Sequence, residues 1–160
     1  MQWSLSEATR SDIGEIRAAL GPVFGVDEQM IRDRTYFVAR TEGRVVGCGG
    51  WSFREAMFGG RSAGEIEPGR LDPECDAARI RAFFVDPDFS RQGIGSSILE
   101  RCEEELVGQG FQRAEISSTL IGVRLYEAFG YSTEAYYEIP LRGAAPLPVA
   151  RMSKRFVSDL

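Results

Sequence analysis

The stretch with the clearest chemical meaning is "DPDFSRQGIGSSILE", residues 86–100. Two glycines, Gly93 and Gly95, stand between an apolar segment and a segment with helical apolar spacing. Glycines at the start of a helix leave backbone N–H groups uncovered, and these groups bind phosphate together with the positive end of the helix dipole. The spacing therefore predicts a phosphate-binding loop.

Two familiar phosphate-binding motifs fit this loop poorly. A P-loop needs a lysine directly after its last glycine, whereas Gly95 is followed by Ser96 and Ser97. A dinucleotide-binding fingerprint needs a third glycine where this chain has Ile98, so that match is weak. Taken alone, the loop is explained equally well by glycines that only allow a tight turn before a helix.

The chain has no histidine. A Ser-His-Asp triad, a Cys-His dyad and a His-ligated zinc site are therefore excluded. Proton transfer must use Glu, Asp, Tyr, Lys, Cys, a backbone group or water. This excludes most hydrolase mechanisms.

Size, charge and cysteine content are those of an ordinary globular protein. The length of 160 residues predicts a single domain over 1–160. A net charge of −5 argues against a nucleic-acid partner, and no apolar run approaches the ~20 residues of a membrane helix. The N-terminus lacks the features of a signal peptide. Cys48, Cys75 and Cys102 have no metal or redox spacing, which predicts reduced thiols, two of them in the core, and a cytoplasmic location.

The pattern of apolar residues predicts the elements that position the loop. Strands are expected at 3–9, 35–40, 44–53, 78–85, 111–119, 131–141 and 146–156, and helices at 11–20, 27–34, 93–108 and 122–130. Ser11 is expected to cap the first helix and Gly21-Pro22 to end it, while Gly110 and Gly130 end the last two helices. The class is α/β with a mostly antiparallel sheet.

In this context the chain resembles the GNAT superfamily of acyl-CoA-dependent N-acetyltransferases. The family loop, [Q/R]-x-x-G-x-[G/A], aligns with residues 90–95, although Ser90 departs from its first position and Arg91 supplies a neighbouring charge. "ATRSDIGEI" (8–16), "FVARTEGRVVGCGGW" (37–51) and "GVRLYEAFGY" (122–131) resemble its other landmarks in the same order. The resemblance implies a sheet of about seven strands with helices on both faces.

The resemblance also implies where acetyl-CoA, the co-substrate, would bind. The fourth strand of the family ends in a bulge and splays from the fifth, and the thioester arm lies in the gap. The implied cofactor-binding residues are Phe83, Phe84, Val85, Arg91, Gln92, Gly93, Ile94, Gly95, Ser96 and Thr119, the last standing near where many relatives carry an asparagine.

The implied reaction is acetyl transfer to a primary amine of a small molecule by direct attack on the thioester. Tyr126 matches the family's general acid, whereas the base is open between Asp86, Glu115 and water. The acidic loop 54–77 is a candidate cover for the substrate side, or simply a solvated loop. No metal, nucleic acid or membrane is expected, and a homodimer is possible. The alternatives are a non-catalytic acyl-CoA-binding module and a peptide or protein acetyltransferase.

Overall fold

A seven-stranded sheet forms the centre of this computed structural model, which describes residues 2–24, 26–55 and 68–156. Its strands are β1 Ser4–Glu7, β2 Tyr36–Thr41, β3 Arg44–Ser52, β4 Ala78–Val85, β5 Arg113–Thr119, β6 Ser132–Ile139 and β7 Leu147–Arg155. The helices are α1 Ile13–Phe24, α2 Glu28–Arg32, α3 Ile94–Gly108 and α4 Val123–Ala128. The strand order is β1-β2-β3-β4-β5-β7-β6, and of these pairs only β4–β5 is parallel. The predicted class and element order are confirmed.

Helices cover both faces of the sheet, each with its own apolar cluster. On one face, α3 contributes Ile98, Leu99 and Leu106, which pack with Trp51. On the other face, Ile16 of α1 and other residues pack with Val38 and Cys48. The apolar residues that recur at helical spacing in α3 are all buried: Ile94, Ile98, Leu99, Cys102 and Leu106. Cys48 and Cys102 are core residues, as predicted.

Glycine ends the two helices that flank the site. Gly110 follows α3 with φ 95°, and the Phe111 N–H donates to the Leu106 carbonyl at 3.0 Å. Gly130 follows α4 with φ 92°, and the Tyr131 N–H donates to the Tyr126 carbonyl at 2.9 Å. A left-handed residue that closes the last helical turn favours glycine, so both predicted stops are confirmed.

The first helix differs from its prediction at both ends. A 3₁₀ turn, Arg10–Asp12, leads into the helix and is capped by Thr9, whose N–H donates to the Asp12 carboxylate at 2.7 Å, so Ser11 lies inside the turn and is not the cap. The helix also continues through Gly21-Pro22 to Phe24. Proline lacks one N–H donor but has a helical φ, so here it costs a hydrogen bond without ending the helix.

Candidate active site

A cleft opens where β4 and β5 part. The two strands pair as Ala78↔Ala114, Arg79↔Glu115 and Ile80↔Ile116, and the pairing stops there although both strands continue. The space between them is a cavity of about 620 Å³. Its walls come from Arg81–Val85 of β4, 117–119 of β5, Leu125 and Tyr126 of α4, and 139–141, which comprise the last residue of β6 and the start of its connection to β7.

A β-bulge turns the end of β4 away from β5. On its other edge, Phe84 pairs with Cys48 and Arg81 with Gly50, so Ala82 and Phe83 together face Gly49. Ala82 has φ 59°, and its carbonyl accepts a hydrogen bond of 2.7 Å from the buried Tyr36 hydroxyl. A Cβ at position 49 would lie 2.7 Å from the Phe83 ring. The glycine therefore makes room for the ring, and Tyr36 anchors the unusual backbone that opens the cleft.

The loop at the start of α3 presents a row of free donors. The first hydrogen bond of the helix joins the Ser97 N–H to the Gly93 carbonyl at 2.9 Å. In the described ranges, the six N–H groups from Arg91 to Ser96 donate to no protein acceptor. Trp3 holds the loop from outside, since its indole N–H donates to the Gln92 carbonyl at 3.2 Å. An anion at this end of the helix would meet both free N–H groups and the positive end of the dipole.

The two loop glycines have different structural roles. Gly93 has φ 79°, a conformation that favours glycine, and nothing lies within 4 Å of a Cβ added there. A Cβ on Gly95 would lie 3.1 Å from Leu125 and 3.5 Å from Val85. Gly95 therefore permits α3 to pack closely on α4 and on the end of β4, which brings the free N–H groups to the mouth of the cleft.

Tyr126 reaches the cleft from α4. The residue is 3% exposed, and its ring packs edge-on against Phe83 and Tyr131, each with 5.9 Å between ring centroids. In the part of the chain that the structure describes, its hydroxyl makes no hydrogen bond. Burial, with a smaller contribution from Cys102, raises the pKa of Tyr126 well above its usual value. The phenol is therefore protonated at neutral pH, and the residue borders the cleft.

The two carboxylates that the sequence suggests as bases lie outside the cleft. Asp86 accepts hydrogen bonds from Arg44 at 3.0 Å and from the Asp88 N–H at 2.9 Å. Glu115 accepts one from Arg79 at 2.8 Å on the face of β5 away from α3. Both carboxylates are hydrogen-bonded to neighbouring groups, and neither borders the cavity. In the described residues, no cluster of three or more potential metal ligands occurs.

A carboxylate that sequence reasoning missed does border the cavity. Asp27 lies 2.9 Å from Arg81 of β4, and both side chains are 5% exposed. The other Asp27 oxygen accepts the Gln29 N–H at 2.9 Å, which caps α2. The available signals were an aspartate at the start of a predicted helix and an arginine inside the apolar strand "ARIRAFFV". Neither signal indicates that Asp27 and Arg81 are in contact, since the two residues are distant in sequence.

The acidic loop does not border the cleft where it is described. Asp72 and Asp76 bond within their own turn, and Pro73 lies beside Gly110 at the end of α3. This position is at the start of β4, and the cleft is at its end. Glu65 and Glu67, which belong to the same prediction, lie outside the described residues. No helix in the described ranges has the length and apolar character to cross a membrane.

Comparison with known proteins yields one family and one fold. The model of the acetyltransferase (GNAT) domain matches residues 32–133. Ard1 of Thermoplasma volcanium has a similar structure, at 17% identity, TM-score 0.70, and coverage of 99% of this chain and 100% of that one. The yncA protein of Salmonella typhimurium, solved with its cofactor acetyl-CoA, is 14% identical with TM-score 0.69 and coverage of 100% and 97%.

A third similar structure is the ribosomal-protein-S18-alanine N-acetyltransferase of Escherichia coli. It is 16% identical, with TM-score 0.66 and coverage of 99% of this chain and 96% of that one. No curated protein sequence matches the chain significantly. Identities this low establish a common fold, and the family assignment rests on the matching domain model.

Proposed function

Because the chain belongs to the GNAT acetyltransferase family, we propose that it transfers the acetyl group of acetyl-CoA to a primary amine of a small molecule. The observation that carries the proposal is the parting of β4 from β5 beside the six free N–H groups at the start of α3. The cleft suits an extended thioester arm, and the N–H groups suit a pyrophosphate. The acetyl-CoA bound to the yncA protein supports this choice of donor.

The residues of the cleft and of the loop beside it fit two parts of acetyl-CoA, the pyrophosphate and the thioester arm. The pyrophosphate would be bound by the N–H groups of Arg91 to Ser96, with Arg91 adding a positive charge. The arm would run beside the backbone of Phe83 to Val85 and bond to it as one further strand, as extended ligands do at free strand edges. Thr119 borders the same cavity from β5 and offers a hydroxyl to the arm.

Tyr126 supplies the acid in the proposed reaction. The neutral amine attacks the carbonyl carbon of the thioester, a C–N bond forms, and the C–S bond breaks. The departing thiolate takes the phenolic proton, and the phenol recovers a proton from solvent. The amine loses its proton to water, because Asp86 and Glu115 lie outside the cavity and Asp27 is held by Arg81.

The test is to incubate the purified protein with acetyl-CoA and a panel of small amines and peptides. Acetylated product should be measured by mass spectrometry, because the exposed thiol of Cys75 reacts with thiol dyes. Transfer to small amines supports the proposal. Transfer to peptides alone would indicate a protein acetyltransferase, and coenzyme A binding without any transfer would indicate a binding module.

A further inference from the structure

A polar hollow lies beside the cleft on the sheet face away from α3. It is lined by Arg79, Glu115, Ala135, Tyr137 and Arg151, and is called the arginine hollow below. Ser117 connects it to the cleft, since it lines the cavity and shares a short hydrogen bond with the Tyr137 hydroxyl. Arg151 stands directly opposite Ser117 in the β5–β7 register. The hollow is therefore about 5 Å, one strand spacing, from the cleft.

The arginine hollow contains more hydrogen-bond donors than acceptors. Arg79 donates to Glu115 at 2.8 Å, yet its buried Nε has no partner among the described residues. The guanidinium of Arg151 is 3.4 Å from Glu134, and in the described ranges it makes no hydrogen bond. The Ser117–Tyr137 pair keeps one hydroxyl proton that their shared bond does not use.

Both positive charges of the hollow have an acidic neighbour, but Arg151 is held the less tightly of the two. Glu115 balances Arg79. Glu134, the neighbour of Arg151, also accepts a short hydrogen bond from Ser153, and the side chain of Arg151 is 50% exposed. The Arg151 guanidinium therefore keeps N–H groups without a hydrogen bond among the described residues. A carboxylate matches them, because the arginine fork binds its two oxygens through two parallel bonds.

We propose that the arginine hollow binds a carboxylate of the acceptor while the acceptor's amine lies in the cleft. This rests on the proposed function and narrows its substrate class to amines that also carry a carboxylate, such as amino acids. The separation of the hollow from the cleft favours acceptors whose two groups are several bonds apart.

The experiment compares kcat/KM for ω-amino acids from glycine to 6-aminohexanoate with that for alkylamines of the same length. We expect the carboxylate-bearing member of a pair to be preferred. Arg151→Gln should reduce its kcat/KM by about 10- to 100-fold, the effect of losing a charged hydrogen bond, and should leave the alkylamine rate and coenzyme A affinity unchanged. Arg155→Gln, an equal charge change further along β7, is the matched control and should alter neither rate.

Equal rates for the two members of every pair would overturn the inference, and so would an equal loss for both in Arg151→Gln. A preference for aminoalkylphosphonates over carboxylates would assign the hollow to phosphate. Calorimetric titration of 6-aminohexanoate into the coenzyme A complex separates this inference from the proposed function. If no amine is acetylated but 6-aminohexanoate still binds in a way that depends on Arg151, the proposed function is wrong and the arginine hollow is still a carboxylate site. If binding does not depend on Arg151, the hollow is not a carboxylate site.

Discussion

Tyr126, the acid in the proposed reaction, is also a residue of the core. Its ring packs between Phe83 and Tyr131, the residue borders the cavity, and its hydroxyl has no hydrogen-bond partner among the described residues. Burial keeps the phenol protonated. A substitution that retains the ring and removes the hydroxyl can therefore separate catalysis from packing.

Tyr126→Phe should lower kcat by roughly 10²–10⁴-fold if the phenol is a full general acid. The affinity for acetyl-CoA and the thermal midpoint should change little, because the hydroxyl loses no protein hydrogen bond. Steady-state kinetics and calorimetry measure these quantities. Tyr131→Phe is the control: it removes a hydroxyl that donates to Glu103 at 2.8 Å, so it should lower stability and spare kcat. A Tyr126→Phe enzyme with normal kcat and a lower melting temperature would show that Tyr126 is a core residue and not the acid.

The pH dependence of the reaction should follow the acceptor amine. No imidazole is present to titrate near neutrality, and burial raises the pKa of Tyr126 above its ordinary value of 10.0. The acid form is present at every pH below that raised value, so its contribution is lost only as pH rises through it. We expect kcat/KM to increase toward alkaline pH with no descending limb below about pH 10. A descending limb of the kcat/KM profile that is centred below pH 10 and disappears in Tyr126→Phe would contradict this expectation.

Among the elements, β3 positions both the start of α3 and the bulge of β4 through its glycines. A Cβ on Gly47 would lie 2.5 Å from Ile94, the first residue of α3, and Gly49 makes room for Phe83 at the bulge. The strand thereby sets the distance from the free N–H groups to the cleft. Tyr36 of β2 then fixes the bulge through the Ala82 carbonyl.

Tyr36→Phe should destabilise the protein by about 1–3 kcal/mol, because the partly buried Ala82 carbonyl loses its donor. It should also raise KM for acetyl-CoA, since the bulge shapes the edge along which the arm binds. Ala82→Gly in the same chain should recover part of the KM, because glycine adopts a positive φ without strain. Chemical unfolding and steady-state kinetics measure both effects. If Ala82→Gly restores neither the stability nor the KM for acetyl-CoA, the Tyr36 hydrogen bond supports only the core.

The start of α3 can be tested by a change that separates helix stability from phosphate binding. Ser96→Glu places a negative charge in the first turn, where it stabilises a helix by about 0.3–1 kcal/mol. The same charge should repel a pyrophosphate on the neighbouring N–H groups and weaken coenzyme A binding by at least tenfold. Ser96→Gln is the neutral control for side-chain size. Unchanged calorimetric affinity in the Glu variant would remove the pyrophosphate from this loop.

At the scale of the whole molecule, Asp12 ties the first helix to the sheet. Its carboxylate accepts the Thr9 N–H at 2.7 Å and forms a salt bridge with Arg40 of β2. Burial alone would raise the pKa of Asp12, but the Thr9 hydrogen bond and Arg40 outweigh it and lower the pKa. A lowered pKa gives stability that is present above the unfolded value, about 3.9, and lost as pH falls through the folded value.

Asp12→Asn should therefore lower stability at pH 7 by about 0.5–2 kcal/mol, the usual effect of losing a helix cap. The difference from the wild type should shrink as pH falls below about 4 toward the lowered folded pKa, because the wild type then loses the stability that the ionised carboxylate gives. Thermal unfolding of both proteins between pH 7 and pH 3 measures this. A difference that stays constant over the whole range would contradict the role of the ionised carboxylate.

Local patterns in the sequence determined most of the architecture. The order of strands and helices, the buried face of α3, the glycine stops and the loop at 90–96 all follow from periodicity and from the conformations that glycine allows. These signals lie within a few residues of the structure they specify. The first helix shows the limit of these local signals. Both Thr9 and Ser11 are residue types that cap helices, and a proline such as Pro22 can either end a helix or lie within it. The single domain, the homodimer and the cytoplasmic location stay predictions.

Only the tertiary structure decided which residues meet at the cleft. It placed Asp27 beside Arg81, turned Asp86 and Glu115 away from the cavity, and brought Arg151 next to Ser117. It also showed that Gly95 packs against Leu125. Each of these relations joins residues far apart in the chain, and each depends on the bulge in β4 and on where β4 and β5 part. Strand register and the close packing of side chains set such contacts, and no short stretch of sequence encodes them.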